Sequence, residues 1–309
     1  MKVVIAGGTG LIGTALTRAL AGAGHEVAVL TRRPVEEVRD LPAGARPVRW
    51  SASAEGVDAW APELEGADGV INLAGASVGT RPWTPGRVRE IRESRLRATS
   101  ALVAAIAALP ESGRPRALLN ASGIDYYGDR GDEVVDERAA GGGGAVLAGV
   151  CERWEAAAVE AEPLGVRVVR LRTGLVFARG ALALRLTALP FRLFAGGRSG
   201  SGRQWVSWVH LEDVVGLYGL ALRDPGLSGP LNVVAPEPVR NAELAAEIGR
   251  VLHRPVWLPQ PAPVLRLAMQ GMADLLLVGH RVTPAVAKGR GYEFRYPAVG
   301  PALTEALGR

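Results

Sequence analysis

The chain lacks the means for several kinds of chemistry. It has one cysteine, Cys151, among 309 residues, so no disulfide can form within it. That suits a reducing, cytoplasmic setting. Its four histidines, His25, His210, His253 and His280, are too scattered for metal-ligand spacing, and no structural zinc is expected. No apolar run approaches the roughly 20 residues that span a bilayer; Leu275–Val278 is far too short. The opening run MKVVIAGGTG is broken at once by Gly7 and Gly8 and reads as a buried strand, not a leader. Lysine is nearly absent, and scattered arginines carry the net charge of +5. Without a basic block or an aromatic reading platform, a nucleic-acid partner is not expected. What remains is a solvated basic surface or an attraction for anionic ligands.

What is present is a chain 48% hydrophobic, enough for one large or two fused domains. Buried-strand patterns at Val3–Ala6, Val27–Leu30, Val48–Trp50, Val70–Leu73, Ala117–Ala121 and Val166–Leu171 alternate with helical patterns. The helices are Leu11–Ala23, Val88–Leu109 and Val146–Glu162. That order predicts an α/β fold, a Rossmann-type doubly wound parallel sheet with a small C-terminal α/β region on the substrate side. The alternation loosens after Thr173. Helices are expected at Val214–Leu222, Asn241–Leu252 and around Leu303–Leu307, and strands at Leu231–Val234 and Gly291–Pro297, with Pro259, Pro261 and Pro263 stiffening a connection into Val264–Leu277. Gly141–Gly144 reads as a flexible loop. The expected division is 1–235 for the nucleotide-binding domain, with substrate-side insertions from about 175, and 236–309 for a small C-terminal domain.

The first strand runs into Gly7-Gly8-Thr9-Gly10-Leu11-Ile12-Gly13. Glycines at this spacing permit a tight turn, let backbone approach a pyrophosphate and let the following helix pack on the strand. The helix N-terminus adds free N–H groups and a positive dipole. An NAD-binding unit usually places a carboxylate about 20 residues on, for the ribose 2′-hydroxyl. Here the second strand ends in Thr31-Arg32-Arg33, which suits a 2′-phosphate through bidentate guanidinium bonding. NADP(H) is favoured over NAD(H). The competing reading makes Arg32 and Arg33 plain surface charges.

Further motifs follow in order: Asn72-Leu73-Ala74-Gly75, Arg81-Pro82-Trp83, Ile91-Arg92-Glu93-Ser94-Arg95, Tyr126-Tyr127-Gly128-Asp129, Leu171-Arg172-Thr173-Gly174 and Trp208-Val209-His210-Leu211-Glu212-Asp213. Together they resemble the extended and atypical short-chain dehydrogenase/reductases, the NAD-dependent epimerase/dehydratase group. The closest resemblance is to epimerase-like proteins with a small C-terminal domain and no assigned substrate. The resemblance implies that Thr31, Arg32, Leu73, Ala74, Glu90, Arg95 and Val176 lie along the NADP(H) site, with Gly75 in the same loop. It also implies a homodimer through the helices around Val88–Leu109 and Val146–Glu162, whose alanines permit close approach.

The superfamily's acid/base machinery is a Ser or Thr followed by Tyr-x-x-x-Lys. With Glu155 aligned to its usual acidic residue, Leu147 falls at the tyrosine position and Cys151 at the lysine position, and neither can do the work. Ser122 stands near the serine position, with Gly123 as the alternative register. Tyr126 and Tyr127 are the substitute acids to consider, against plain packing over the nicotinamide. His210 borders the expected substrate pocket, unless it merely starts a helix. Arg203, Trp205 and Trp208 are candidate pocket walls; Cys151 reads as buried helix packing. The sequence thus leaves two readings: an NADP(H)-dependent oxidoreductase or epimerase acting on a small molecule, or an NADP(H)-binding sensor without turnover.

Overall fold

The computed structural model describes residues 1–38, 40–52 and 57–308. Seven strands form one parallel sheet: β1 Lys2–Ala6, β2 Glu26–Thr31, β3 Ala45–Arg49, β4 Gly69–Asn72, β5 Ala117–Gly123, β6 Arg167–Thr173 and β7 Gly229–Val233. Their spatial order is β3-β2-β1-β4-β5-β6-β7. The register sets Val3 beside Val27 and Gly69, and Asn72 beside Asn120. The order reverses between β1 and β4. That opens a crevice at the carboxyl ends of the strands, where dinucleotides bind in such sheets.

Alternate side chains of one strand serve opposite layers. Val3, Ile5, Val27, Val29 and Leu119 bury against α1 (Leu11–Gly22) and a later helix, Leu211–Arg223. Val4, Ala6, Ala28, Leu30 and Leu118 bury against α2 (Pro85–Ala108), while Val168 and α3 (Val146–Val159) extend the same layer. Each fully buried Val or Leu contributes about 1.5–3 kcal/mol, so the strands must be apolar on both faces. Pro85 and the Thr84 hydroxyl, which accepts from Arg87 N at 3.2 Å, start α2.

A separate apolar cluster gathers Phe177, Leu184, Phe191, Trp208, Leu244, Ile248, Leu303 and Leu307. It unites α4 (Leu182–Arg192), the Leu175–Phe177 and Trp208–His210 strand pair, and the helices Asn241–Leu252 and Val299–Leu307.

The main strands and the first three helices match the sequence expectation to within a few residues. Two features do not, and Val264–Leu277, whose form the sequence left open, holds two helices, Ala262–Met269 and Asp274–Leu277, parted where Gln270 adopts a left-handed φ of 53°. Gly291–Pro297 is not a strand: the amides of Arg295 and Tyr296 donate instead to the Asp213 carboxylate at 2.8 and 2.9 Å. The Gly141–Gly144 loop is pinned at Gly142, whose amide donates to Tyr126 O at 2.9 Å. A Cβ there would stand 2.5 Å from Gly128 N and closer still to the Tyr127 carbonyl.

Candidate functional site

The loop between β1 and α1 is built around absent side chains. Gly7 takes a φ of +82°, and a Cβ on it would lie 2.9 Å from Leu73 O. A Cβ on Gly13 would stand 2.6 Å from Gly8 Cα. Thr9, Gly10 and Leu11 are exposed, while Ile12 tucks into the core. Gly10 opens α1 with no side-chain cap, so the first-turn amides have no side chain to satisfy them. Bare, outward-facing amides at a helix N-terminus fit an anionic pyrophosphate. Beside them is a cavity of about 360 Å³ lined by Thr9, Gly10, Thr14, Arg18, Arg179 and Leu211. Sequence reading missed Arg18 and Arg179 here, because only the fold brings residue 179 back to the first turn.

At the end of β2, Thr31 is buried and its hydroxyl accepts from Arg33 N at 3.1 Å, which fixes the turn. Arg32 and Arg33 emerge exposed. Across the crevice, Glu90 pairs with Arg87 at 2.6 Å; that pairing, with Arg81 and Arg32 nearby, lowers its pKa. Leu73, Ala74 and Gly75 follow β4 at the same edge. Their loop is held from below: Asn72 donates to Thr99 Oγ1 at 2.8 Å and Asn120 Oδ1 at 2.7 Å, and Ala74 N donates to Asn72 Oδ1 at 3.2 Å. Arg95 closes it, donating to Ala76 O at 2.9 Å, with its guanidinium pKa lowered by burial. Val176 lies on the short strand after β6, packed on the core. Gly7–Gly13, Thr31–Arg33, Leu73–Gly75, Glu90 and Arg95 therefore converge along one edge of the sheet. A phosphorylated dinucleotide fits them: a bare amide cradle at one point and exposed guanidiniums at the next.

The catalytic candidates fare differently. Ser122 is buried and donates to Glu155 Oε1 at 2.7 Å. Arg172 grips the same carboxylate with two prongs at 2.8 Å each, and donates to the Tyr127 hydroxyl at 2.9 Å. That hydroxyl donates onward to Asn232 Oδ1 at 2.7 Å. Tyr127 is wholly buried, and burial pushes its pKa up to about 12. Ser122 and Tyr127 thus belong to a sealed polar network, with no hydroxyl turned to a ligand. Arg172 is an interior cation, not a rim residue. His210 is also interior: its Nδ1 caps Glu212 N at 3.3 Å, and its Nε2 meets Glu305 at 2.9 Å. It performs the helix-entry role. Tyr126 alone keeps partial exposure, with Arg172 stacked 3.5 Å over its ring.

On α3, Leu147 packs near Trp83 and Ile91. Cys151 is buried, which pushes its thiol up to about 12. Two groups escaped the sequence reading. Asp125 follows β5 at the ligand edge, its Oδ2 3.2 Å from where a Cβ on Gly123 would stand. His280 comes from the far end of the chain and interacts with it electrostatically. A carboxylate two residues past a strand end was the available signal for Asp125; His280 had none.

Beyond His280 is a second cavity of about 230 Å³, lined by Asp129, Asp132, Arg203, Gln204 and Arg240 among others. Trp205 is not among its lining residues; it donates to Asp132 Oδ1 at 2.8 Å, with the guanidiniums of Arg240 and Arg281 3.9 and 4.4 Å from its ring. Trp208 is not a wall of it; fully buried, it stacks on Phe177 at 5.2 Å.

Residues 3–233 match the NAD dependent epimerase/dehydratase family, and residues 260–306 match a domain of unknown function, DUF1731. An Arabidopsis thaliana protein named epimerase family protein SDR39U1 homolog, chloroplastic, is 39% identical over 304 residues, 98% of this chain and 86% of that one. The Homo sapiens epimerase family protein SDR39U1 is 35% identical over 310 residues, 99% of this chain and 100% of that one. The crystal structure of its isoform 2 with NADPH superposes with a TM-score of 0.85 at 34% identity, covering 99% of each chain. With three quarters of its length matching and its fold shared with such relatives, the chain belongs to the NAD dependent epimerase/dehydratase family.

Proposed function

We propose that the protein binds NADP(H) along Gly7–Gly13, Thr31–Arg33, Leu73–Gly75, Glu90, Arg95 and Val176, and acts on a small molecule by nicotinamide hydride transfer. The observation that carries this is the uncapped glycine cradle with Arg32 exposed at the end of β2, where a carboxylate would select NAD. The human relative's structure with NADPH supports the choice. The bound nicotinamide would supply the hydride; the chain supplies the anion cradle, the guanidiniums and a crevice floor rigid enough to hold both. The substrate side is the unit built on the Phe177–Leu307 cluster, with a C-terminal domain from about 236. The reading includes a cytoplasmic protein and a homodimer through α2 and α3. No helix among the described residues is long and apolar enough to cross a membrane.

The test is calorimetric titration with NADPH and NADH, comparing wild type with Arg32→Ala. NADPH affinity should fall by about 1.5–3 kcal/mol in the variant, the worth of a charged hydrogen bond, with NADH little changed. Equal affinity of wild type for both nucleotides overturns the Arg32 assignment. Leu147 and Cys151 at the acid/base positions favour the rival reading, a nucleotide sensor without turnover, unless other groups move the proton.

A further inference from the structure

We propose that the outer face of α4, with Phe194 and Trp257 beside it, docks the protein on an anionic lipid surface. The proposal stands independently of the NADP(H) reading.

The helix α4 is apolar on two sides. Leu184, Ala188 and Phe191 are buried in the cluster beneath it. Leu182, Leu186, Leu189 and Leu193 recur at helical spacing as a second stripe, and they stand 40–67% exposed. Phe194 follows, 56% exposed, with a left-handed φ of 62°. That backbone is strained in a bulky residue and persists only where its surroundings hold it. Trp257 is one such hold: 65% exposed itself, it donates its indole N–H to the Phe194 carbonyl at 2.8 Å. The amides of Trp257 and Leu258 both donate to Gly196 O at 3.0 Å, which ties the two segments together. The helix Ala262–Met269, next along the chain, has no buried residue, and its Leu267 is 86% exposed. Apolar side chains grouped in this way on a surface mark contact with a protein or a membrane.

Charge decides between those occupants. No aspartate or glutamate occurs from residue 163 to 211 or from 248 to 273, the two segments that build the patch. Their charges are arginines. Arg185 and Arg192 stand exposed on α4, and the Arg254 guanidinium lies 4.4 Å from the Phe194 ring. A second copy of the chain would set these cations against their own kind. An anionic lipid surface attracts them, while the leucines and the two rings enter the headgroup boundary and the arginine stems reach back to the phosphates. Each guanidinium near such a surface is worth roughly fivefold in affinity. No helix among the described residues is long and apolar enough to cross a membrane, so α4 would lie in the surface plane.

The test is flotation of the full chain with vesicles of phosphatidylcholine alone, or of phosphatidylcholine and phosphatidylglycerol in equal parts, at low and high salt. Wild type should bind the anionic vesicles at least roughly tenfold more tightly than the neutral ones, and salt should weaken that binding. Leu186→Glu with Leu193→Glu should lower it by roughly tenfold or more, with melting unchanged because both side chains already face water. Phe194→Gly should also weaken binding while melting holds or rises, since glycine takes the left-handed backbone without strain. Equal flotation with both vesicles, or flotation that the leucine pair leaves unaltered, overturns the proposal. So does a dimer in solution that the leucine pair dissolves, because a second copy then covers the face. Retention by soluble polyglutamate as strong as by the anionic vesicles assigns the face to an acidic protein and overturns the lipid.

Discussion

Glu155 of α3 and Arg172 of β6 hold each other through two parallel hydrogen bonds of 2.8 Å inside the protein, both side chains about 2–3% exposed. Burial opposes the guanidinium charge, but the Glu155 partnership outweighs it and raises the Arg172 pKa. Removing one partner strands the other charge. Glu155→Ala should destabilise by about 3–5 kcal/mol, read as a lower urea midpoint. Glu155→Gln should lose less, because its shape still fills the space.

Two glycines near α3 should respond to alanine with opposite signs. Gly142 lies hard against Tyr127 O and Gly128 N, so Gly142→Ala should cost about 1–3 kcal/mol from overpacking. Gly149 lies within α3 with nothing near a prospective Cβ, and Gly149→Ala should add about 0.4–1 kcal/mol. Thermal melting separates the two.

The phosphate loop should split into a folding glycine and a binding glycine. A Cβ at Gly13 collides with Gly8 Cα, so Gly13→Ala should lower both melting temperature and NADPH affinity. A Cβ at Gly10 meets only Gly7 O, at 3.5 Å, and Gly10 has a φ of −82°. Gly10→Ala should leave melting unchanged while weakening NADPH, because the added methyl stands beside the amides a phosphate would use.

Alkaline stability should reveal the buried thiol. Cys151 has its pKa raised from 9.0 to about 12, so the folded state keeps its proton after the unfolded state has lost it. Its contribution is complete below pH 9 and lost as pH climbs towards 12. The thiol, with the lower unfolded value, acts first, and the buried phenols of Tyr127, Tyr218 and Tyr292, also raised from 10.0, add a fall of the same sign that grows towards pH 10 and above. The unfolding free energy should fall with a slope of up to roughly 1.4 kcal/mol per pH unit, and Cys151→Ala should flatten it.

The sheet was legible because its signal is local: short apolar runs, each ended by glycine or a turn, separated by helical spacing. The phosphate loop was legible for the same reason, since Gly7, Gly10 and Gly13 act within seven residues. Helix Leu182–Arg192 was not seen, as Pro190 lies inside the helical spacing of Leu184, Ala188 and Phe191. Tyr127 looked available because sequence places it at a strand end; its hydroxyl is consumed by Arg172 and by Asn232, 105 positions away. Proximity between distant positions is a product of the fold, and spacing along the chain does not encode it.

Arg179, on the rim of the cavity beside the phosphate loop, is tied through its Nε to the carbonyl and carboxylate of Glu305, both at 3.1 Å and 126 positions along the chain. Closing so long a loop is entropically unfavourable until other contacts have drawn its ends together. The rim therefore joins the first βα turn to the chain's last helix, Val299–Leu307. On the proposed NADP(H) reading, a nucleotide resting on this rim would bind only where both are in place, and so would add to the stability of the fold that brings them together.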